Sequence, residues 1–246
     1  MIVAVTGGTR GIGQAVVELC RKRGHSIAVC SRTPEDPGLS SEVLHFRGDV
    51  RRREQMARFV QAVMDRYGRL DAFVNCAGVS RWRSLERIDE AFSSELIETN
   101  VLGTLWGCAA AASVMKQGGA IVNLSSLAGK RGSANNSAYC AAKFAVNGIT
   151  QSLAKELGTR GIRVNAVCPV YVRTEQILKA LSEPHSPAQG QGGVERYLEQ
   201  FAATQTALGR LPTAEEVAEV ALFLAGPAAS AITGQCINVD CGTLPQ

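Results

Sequence analysis

Along the chain, short runs of consecutive apolar residues alternate with longer stretches whose apolar positions recur at the helical period. Unbroken apolar runs suit strands buried on both faces, and the helical stretches between them suit helices that cover those faces. Runs at residues 2–6, 26–30, 43–47, 70–75, 121–125, 162–168 and 235–239 predict strands. The sixth is expected to break at Pro169, which lacks the N–H that a ladder needs. Helices are predicted from the glycine-rich segment after the first strand to Arg23, stopped by Gly24, and from Arg51 to Tyr67, closed by Gly68. Others are predicted from about Asp89 to Met115, around Tyr139, and from the capping box of Thr213 and Glu216 to Ala225. Asn100 sits awkwardly in the long third stretch, because its short amide competes for backbone groups unless it has other partners. The alternation predicts an α/β fold, a parallel sheet covered by helices on both faces.

Residues 175–211 carry Pro184, Pro187 and the 190–193 glycine segment between two weakly helical pieces. This stretch reads as a substrate-binding flap that buries too little apolar surface to stay ordered alone, rather than as a second domain. A length of 246 residues with 46% hydrophobic residues then fits one domain over 1–246.

Charge and cysteine content narrow the classes. A net charge of +4 without a basic stripe argues against nucleic acid. Arg51 to Arg53 and Arg81 with Arg83 read as solvated ends, although the second pair also suits an anionic substrate at the site mouth. Eight cysteines without a C-x-x-C pair, and without histidines at ligand spacing, argue against a metal and against a disulfide framework. The first residues lack the basic start and long apolar stretch of a signal peptide, so a soluble, cytoplasmic protein with no membrane partner is expected.

The candidate chemistry starts where the first strand runs into glycines 7, 11 and 13 and the loop opens a helix. Bare N–H groups at the positive end of a helix suit a pyrophosphate, and this context is the one that a dinucleotide site requires. The second strand ends in Ser31 and Arg32, where such a fold places the adenosine ribose. A carboxylate there would bind a free 2′-hydroxyl, whereas Ser31, Arg32 and the nearby Arg10 favour a 2′-phosphate. The alternative for Arg32 is a surface arginine at a strand end. Glu35 and Asp36 follow, and Pro34 and Pro37 are expected to carry them outward. His45 reads as a half-buried strand residue, and Asp49, beside Val50, is placed to accept from an adenine amino group. Asn75, Ala77 and Gly78 permit close approach of backbone to a flat cofactor. Tyr139 and Lys143 stand one turn apart on a helix face, an exposed phenol beside an ammonium that stabilises its ionised form.

Together these residues resemble the short-chain dehydrogenase/reductase family over essentially the whole chain. Thr6, Gly7, Gly11 and Gly13 match its cofactor loop, Asn75, Ala77 and Gly78 its N-x-A-G motif, and Tyr139 with Lys143 its signature. Asn100 and Ser126 fall where the family places the other members of its catalytic tetrad, and Asn165, Pro169 and Gly234 match later landmarks. The resemblance implies a single-domain Rossmann fold with a seven-stranded parallel sheet in the order 3-2-1-4-5-6-7. It also implies cofactor contacts from Thr9, Ile12, Val50, Pro169, Val172 and Thr174, and from Tyr139 and Lys143 themselves. The chain departs from the family at Val170 and Cys241, where glycine is usual, which bears on the shape of the substrate site.

The activity implied is NADPH-dependent reduction of a ketone such as an oxoacyl thioester, with NADPH/NADP+ as cofactor and no metal. Tyr139 would donate the proton, Ser126 would hold the carbonyl oxygen, Lys143 would lower the tyrosine pKa, and Asn100 would help to order a relay water. The alternatives are oxidation of a secondary alcohol or sugar and, in another class, a protein that senses NADP without turnover. The resemblance further implies a homodimer or homotetramer, in which alanines 109–112 and Ala141, Ala142 and Ala145 would let helices pair closely.

Overall fold

A computed structural model gives the structure and describes residues 1–33, 42–116 and 118–245. The excursion expected at Pro34 and Pro37, with Glu35 and Asp36, lies outside the described residues. Strands β1 (Ile2–Thr6), β2 (Ser26–Ser31), β3 (Leu44–Arg47), β4 (Ala72–Asn75), β5 (Gly119–Leu124), β6 (Ile162–Pro169) and β7 (Cys236–Val239) form one sheet. All its pairings are parallel, in the order β3-β2-β1-β4-β5-β6-β7 that the resemblance implies.

Side chains alternate across β1, so Val3 and Val5 meet α1 (Gly11–Lys22) and α8 (Ala214–Ala225) through Val16, Val217 and Leu222. Ala4 faces the other way, toward α2 (Arg53–Tyr67), α4 (Gly103–Val114) and α5 (Ser137–Leu157). Phe59 and Phe73 are fully buried on that face with ring centroids 6.1 Å apart, edge to face. Each such ring stabilises the fold by roughly 1.5–3 kcal/mol through burial. Covering both faces leaves the strand tips at one end of the sheet as the place for chemistry.

Local boundaries differ from the sequence pattern for identifiable reasons. The second helix starts at Arg53, not Arg51, because the Asp49 carboxylate accepts from the Arg51 backbone N–H at 3.0 Å and from its guanidinium, holding a turn. β6 runs through Pro169 instead of breaking there, since a proline at a strand's last position removes only one ladder bond. The predicted helix from Asp89 to Met115 is α3 (Glu90–Ile97), a π-turn (Glu98–Leu102) and α4, with Asn100 inside the π-turn. Thr213 and Glu216 form the capping box that opens α8.

Two expectations about surfaces change. Of the alanines expected at a subunit contact, Ala110, Ala111, Ala112 and Ala142 are buried in the chain's own core. Ala109 and Ala141 stay exposed, and Phe144 is 48% exposed on the same helix as Ala141. The 175–211 segment, with α6 (Glu175–Leu181) and α7 (Val194–Gln205), is not poor in buried apolar groups, since Leu181, Leu198 and Ala188 pack with Trp82 in a small core of their own. Cys241 adopts φ 52°, a left-handed conformation natural for the glycine usual there. Among the described residues, no helix is long and apolar enough to cross a membrane, and no cluster of three or more His, Cys, Asp or Glu could hold a metal ion.

Candidate active site

A cleft of about 1090 Å³ runs across the strand tips, from the glycine loop after β1 to the start of α5 and the 175–211 segment. The loop can pass so tightly because Gly13 has no side chain: a Cβ there would lie 2.2 Å from the Gly7 carbonyl oxygen. The α1 N-terminus has no acidic residue in its first turn, and Arg10 at its N-cap makes no side-chain cap. Its N–H groups are therefore left for an anion. Thr6 Oγ1 accepts from Cys76 N and Ala77 N, each at 3.2 Å, and so ties the tip of β1 to the loop after β4.

Thr9, Arg10, Ile12, Arg32, Asp49 and Val50 line this end of the cleft together with Gly7, Gly13 and Ser31. Ser31 is buried, and its hydroxyl contacts His45 Nε2 at 2.8 Å and Thr33 Oγ1 at 3.1 Å. His45 thus does more than fill a strand position, but only the β2–β3 register brings it to Ser31. Asp49 is held by Arg51, whose Nη2 lies 2.6 Å from Oδ2. Burial works against its ionised form, and the Arg51 hydrogen bonds outweigh it to lower the pKa. With the Gln176 amide oxygen toward the guanidinium, Arg10 Nε and Nη2 each donate to it at 2.9 Å, so a residue of α6 meets the loop arginine. The uncapped helix end and the two cations fit a phosphorylated dinucleotide.

Gly11 and Asn75 do not line the cleft. Gly11, at φ 55°, faces Thr174. Asn75 is buried beneath the tips, where Nδ2 donates to Asn123 Oδ1 at 2.9 Å, and Asn123 Nδ2 donates to Thr150 Oγ1 at 3.0 Å. That chain of hydrogen bonds links β4 and β5 to α5, the helix bearing Tyr139 and Lys143. Ala77, Gly78, Pro169, Val172 and Thr174 are in the cleft wall, as is Val170.

At the middle of the cleft the structure gathers Asn100, Ser126, Tyr139 and Lys143. Tyr139 is half-buried rather than exposed, and its phenol feels the hydroxyls of Ser126 and of Ser80, a residue that sequence reasoning missed. Ser126 Oγ accepts from Ala128 N at 3.1 Å, which fixes the hydroxyl at the end of β5. Lys143 Nζ lies 5.7 Å from the Tyr139 ring centroid and donates to Leu124 O at 2.8 Å. Asn100 Nδ2 donates to Val79 O and to Leu96 O, each at 3.0 Å, and Oδ1 accepts from Val79 N at 3.2 Å. Its amide thereby fixes the loop that carries Ser80. A Cβ on Gly78 would lie 2.9 Å from Asn100 Oδ1 and 3.8 Å from Lys143 Nζ, so the missing side chain keeps open the space between these groups.

Burial dominates the electrostatics of this pair. It pushes the Tyr139 phenol up to about 12, with the Ser126 and Ser80 hydroxyls pulling it down. Burial also pushes Lys143 down to about 8, against a smaller upward pull from Cys76 and Cys168. In the free protein both shifts come first from burial, and the lysine ammonium donates to the Leu124 carbonyl.

Beyond Tyr139 the cleft opens between Trp82, Tyr171, Tyr197 and Phe201. The Tyr171 and Phe201 rings are 4.9 Å apart in an edge-to-face pair, and the Tyr171 and Tyr197 hydroxyls are 3.1 Å apart. Arg81 and Arg83 do not act as free cations here. Arg81 pairs with Glu95 at 3.0 Å and Glu183 at 3.2 Å, and Arg83 pairs with Asp89 at 2.8 Å while stacking on Phe92.

Residues 7–243 match the family model described as Enoyl-(Acyl carrier protein) reductase. Short-chain reductase protein NovJ of Streptomyces niveus is 33% identical over 251 residues, covering 98% of this chain and 93% of that protein. The 3-oxoacyl-[acyl-carrier-protein] reductase FabG of Vibrio cholerae is 33% identical over 250 residues, covering 98% of this chain and 96% of its own. Among solved structures, Thermoplasma acidophilum aldohexose dehydrogenase in ligand-free form superposes with a TM-score of 0.88 at 29% identity, covering 100% of this chain and 97% of that one. ElxO with NADP bound gives 0.87 at 29% identity, covering 100% and 99%.

Proposed function

Because the chain belongs to the short-chain dehydrogenase/reductase family, an oxidoreductase family, we propose that it reduces a ketone with NADPH, the ketone being an oxoacyl thioester or similar carbonyl compound. The observation that carries this reading is the gathering of Tyr139, Ser126, Lys143 and Asn100 in one cleft, with Lys143 Nζ 5.7 Å from the Tyr139 ring centroid. When bound, NADPH supplies hydride to a carbonyl carbon. Ser126 donates a hydrogen bond to the carbonyl oxygen, where negative charge develops. Tyr139 Oη delivers its proton to that oxygen, and a phenol held at about 12 remains protonated for reduction across the neutral range. Lys143 keeps positive charge beside the Tyr139 ring, and Asn100 fixes the Val79–Ser80 loop against the phenol.

Arg10 and Arg32 support NADPH over NADH, since neither forms an ion pair with a carboxylate among the described residues. ElxO, bound to NADP, is consistent with this choice. The likeness to an aldohexose dehydrogenase favours the second reading, oxidation of a secondary alcohol or sugar. NADPH consumption on oxoacyl thioesters, cyclic ketones and sugar ketones, run beside NADP+ reduction on the matching alcohols, tests both. Turnover on no ketone would overturn the reductase reading. Subunits associate through the outward side of α5 around Ala141 and Phe144, and a light-scattering mass near 26.1 kDa would contradict that.

A further inference from the structure

The substrate end of the cleft is electrically lopsided. Arg81 is matched by two carboxylates, Glu95 and Glu183, so that side of the mouth carries net negative charge. Arg131 lines the same cleft, and among the described residues its guanidinium has no carboxylate partner. Its backbone is nonetheless fixed on both sides: Arg131 N donates to Leu127 O at 3.1 Å, and its carbonyl accepts from Cys140 Sγ at 3.9 Å. Those contacts hold it between the segment that follows Ser126 and the residue next to Tyr139. Its charge reaches the aromatic wall as well: burial raises the pKa of Tyr171 and of Tyr197, and Arg131 pulls both the other way. Keeping a cation unmatched where its charge reaches two phenols is useful where a ligand brings the anion.

Resting on the reductase reading for what happens at Tyr139, we infer that Arg131 determines substrate specificity by pairing with an anionic group of the ketone, while Tyr171, Tyr197 and Phe201 pack against its apolar body. The anion is a carboxylate within a ring-bearing ketone or the phosphate of a phosphopantetheine arm, and Arg131 presents the same fork of donors to either. Lys179, on α6, also lines the mouth without a carboxylate partner among the described residues. It therefore serves as the comparison.

The test uses two matched pairs that differ in one anion: 4-oxo-4-phenylbutanoate against its methyl ester, and 3-oxobutanoyl-phosphopantetheine against 3-oxobutanoyl-pantetheine. Affinity for NADP+-loaded protein is measured by calorimetry, and kcat/KM by NADPH oxidation. The wild type is expected to prefer the anionic member of at least one pair by roughly tenfold, as one charge-assisted contact allows. Arg131→Gln is expected to bring that preference to within about twofold and Arg131→Glu to invert it, whereas Lys179→Gln leaves it in place. The pair that responds identifies carboxylate or phosphate. No preference in either pair, or a preference that survives Arg131→Gln, overturns the inference. Binding that discriminates through Arg131 without ketone turnover leaves the inference standing and removes the reductase reading; turnover with an Arg131-independent ratio does the reverse.

Discussion

The two ends of the cleft are built differently. At the cofactor end, backbone does the work: the loop between β1 and α1 closes to the point where Gly13 leaves no room for a methyl group, and Thr6 laces two strand tips together. At the substrate end, side chains from the segment after Ser126, from β6 onward and from α7 meet across the opening. Asn135 and His185 there both have left-handed backbone, φ 56° and 72°, and Asn135 Nδ2 donates to His185 O at 3.2 Å. Close-packed backbone tolerates one solution, which suits a cofactor shared by a family. An assembly of side chains hung on loops can be re-cut residue by residue, which suits a substrate that varies.

Gly13→Ala attacks the rigid end and is expected to have the largest effect on the fold. The added methyl meets a backbone oxygen with no flexible side chain to yield, so a cost of about 3 kcal/mol or more is expected, with NADPH binding lost. Thermal denaturation and a calorimetric NADPH titration check this, and an unchanged Tm would show that the loop is looser than described. Leu198→Ala attacks the other end. Leu198 is fully buried in the small core with Trp82 and Leu181, so about 2–5 kcal/mol of local stability should go. Hydrogen exchange across 175–211 should accelerate and the ketone KM should rise, with the NADPH Kd unchanged. If the segment closes over substrate, wild-type protection there rises with NADP+ and ketone both present; a segment that is indifferent to ligand contradicts closure.

Arg32→Ala sharpens the comparison at the level of charge. Losing one charge-assisted contact to the 2′-phosphate should raise the NADPH Kd by about tenfold or more and leave NADH alone. An equal loss for both cofactors would mean that Arg32 does not read the phosphate. A further effect is on pH dependence. Lys143 has a folded pKa of about 8 against an ordinary 10.5, so between those values the unfolded chain binds the extra proton and stability rises with pH. The Tm of the free wild-type protein relative to Lys143→Met should climb across that window. A flat difference would show that the ammonium is not desolvated.

The same contrast explains what could be read from sequence. The strand order came only with the family resemblance, whereas the strand segments, the glycine loop and the Tyr139–Lys143 spacing depend on neighbours in the chain, and each is legible in a window of a few residues. Arg81 was not: its neutralisation depends on Glu183, which is 102 residues away. Ser80 acts on the Tyr139 phenol from a loop that Asn100 holds at Val79 from inside a π-turn, and Gln176 reaches Arg10 only once α6 has packed. Helical spacing likewise reveals that an ammonium is near the phenol but not that it donates to Leu124 O.

The proton donor is the point on which the whole reading turns, and Tyr139→Phe isolates it because the ring stays and only the hydroxyl goes. On the best ketone of the panel, single-turnover NADPH oxidation by this variant should fall by roughly two to four orders of magnitude while the NADPH Kd stays within about twofold. A variant that kept most of the wild-type rate, with cofactor bound, would contradict the assignment of Tyr139 as the acid.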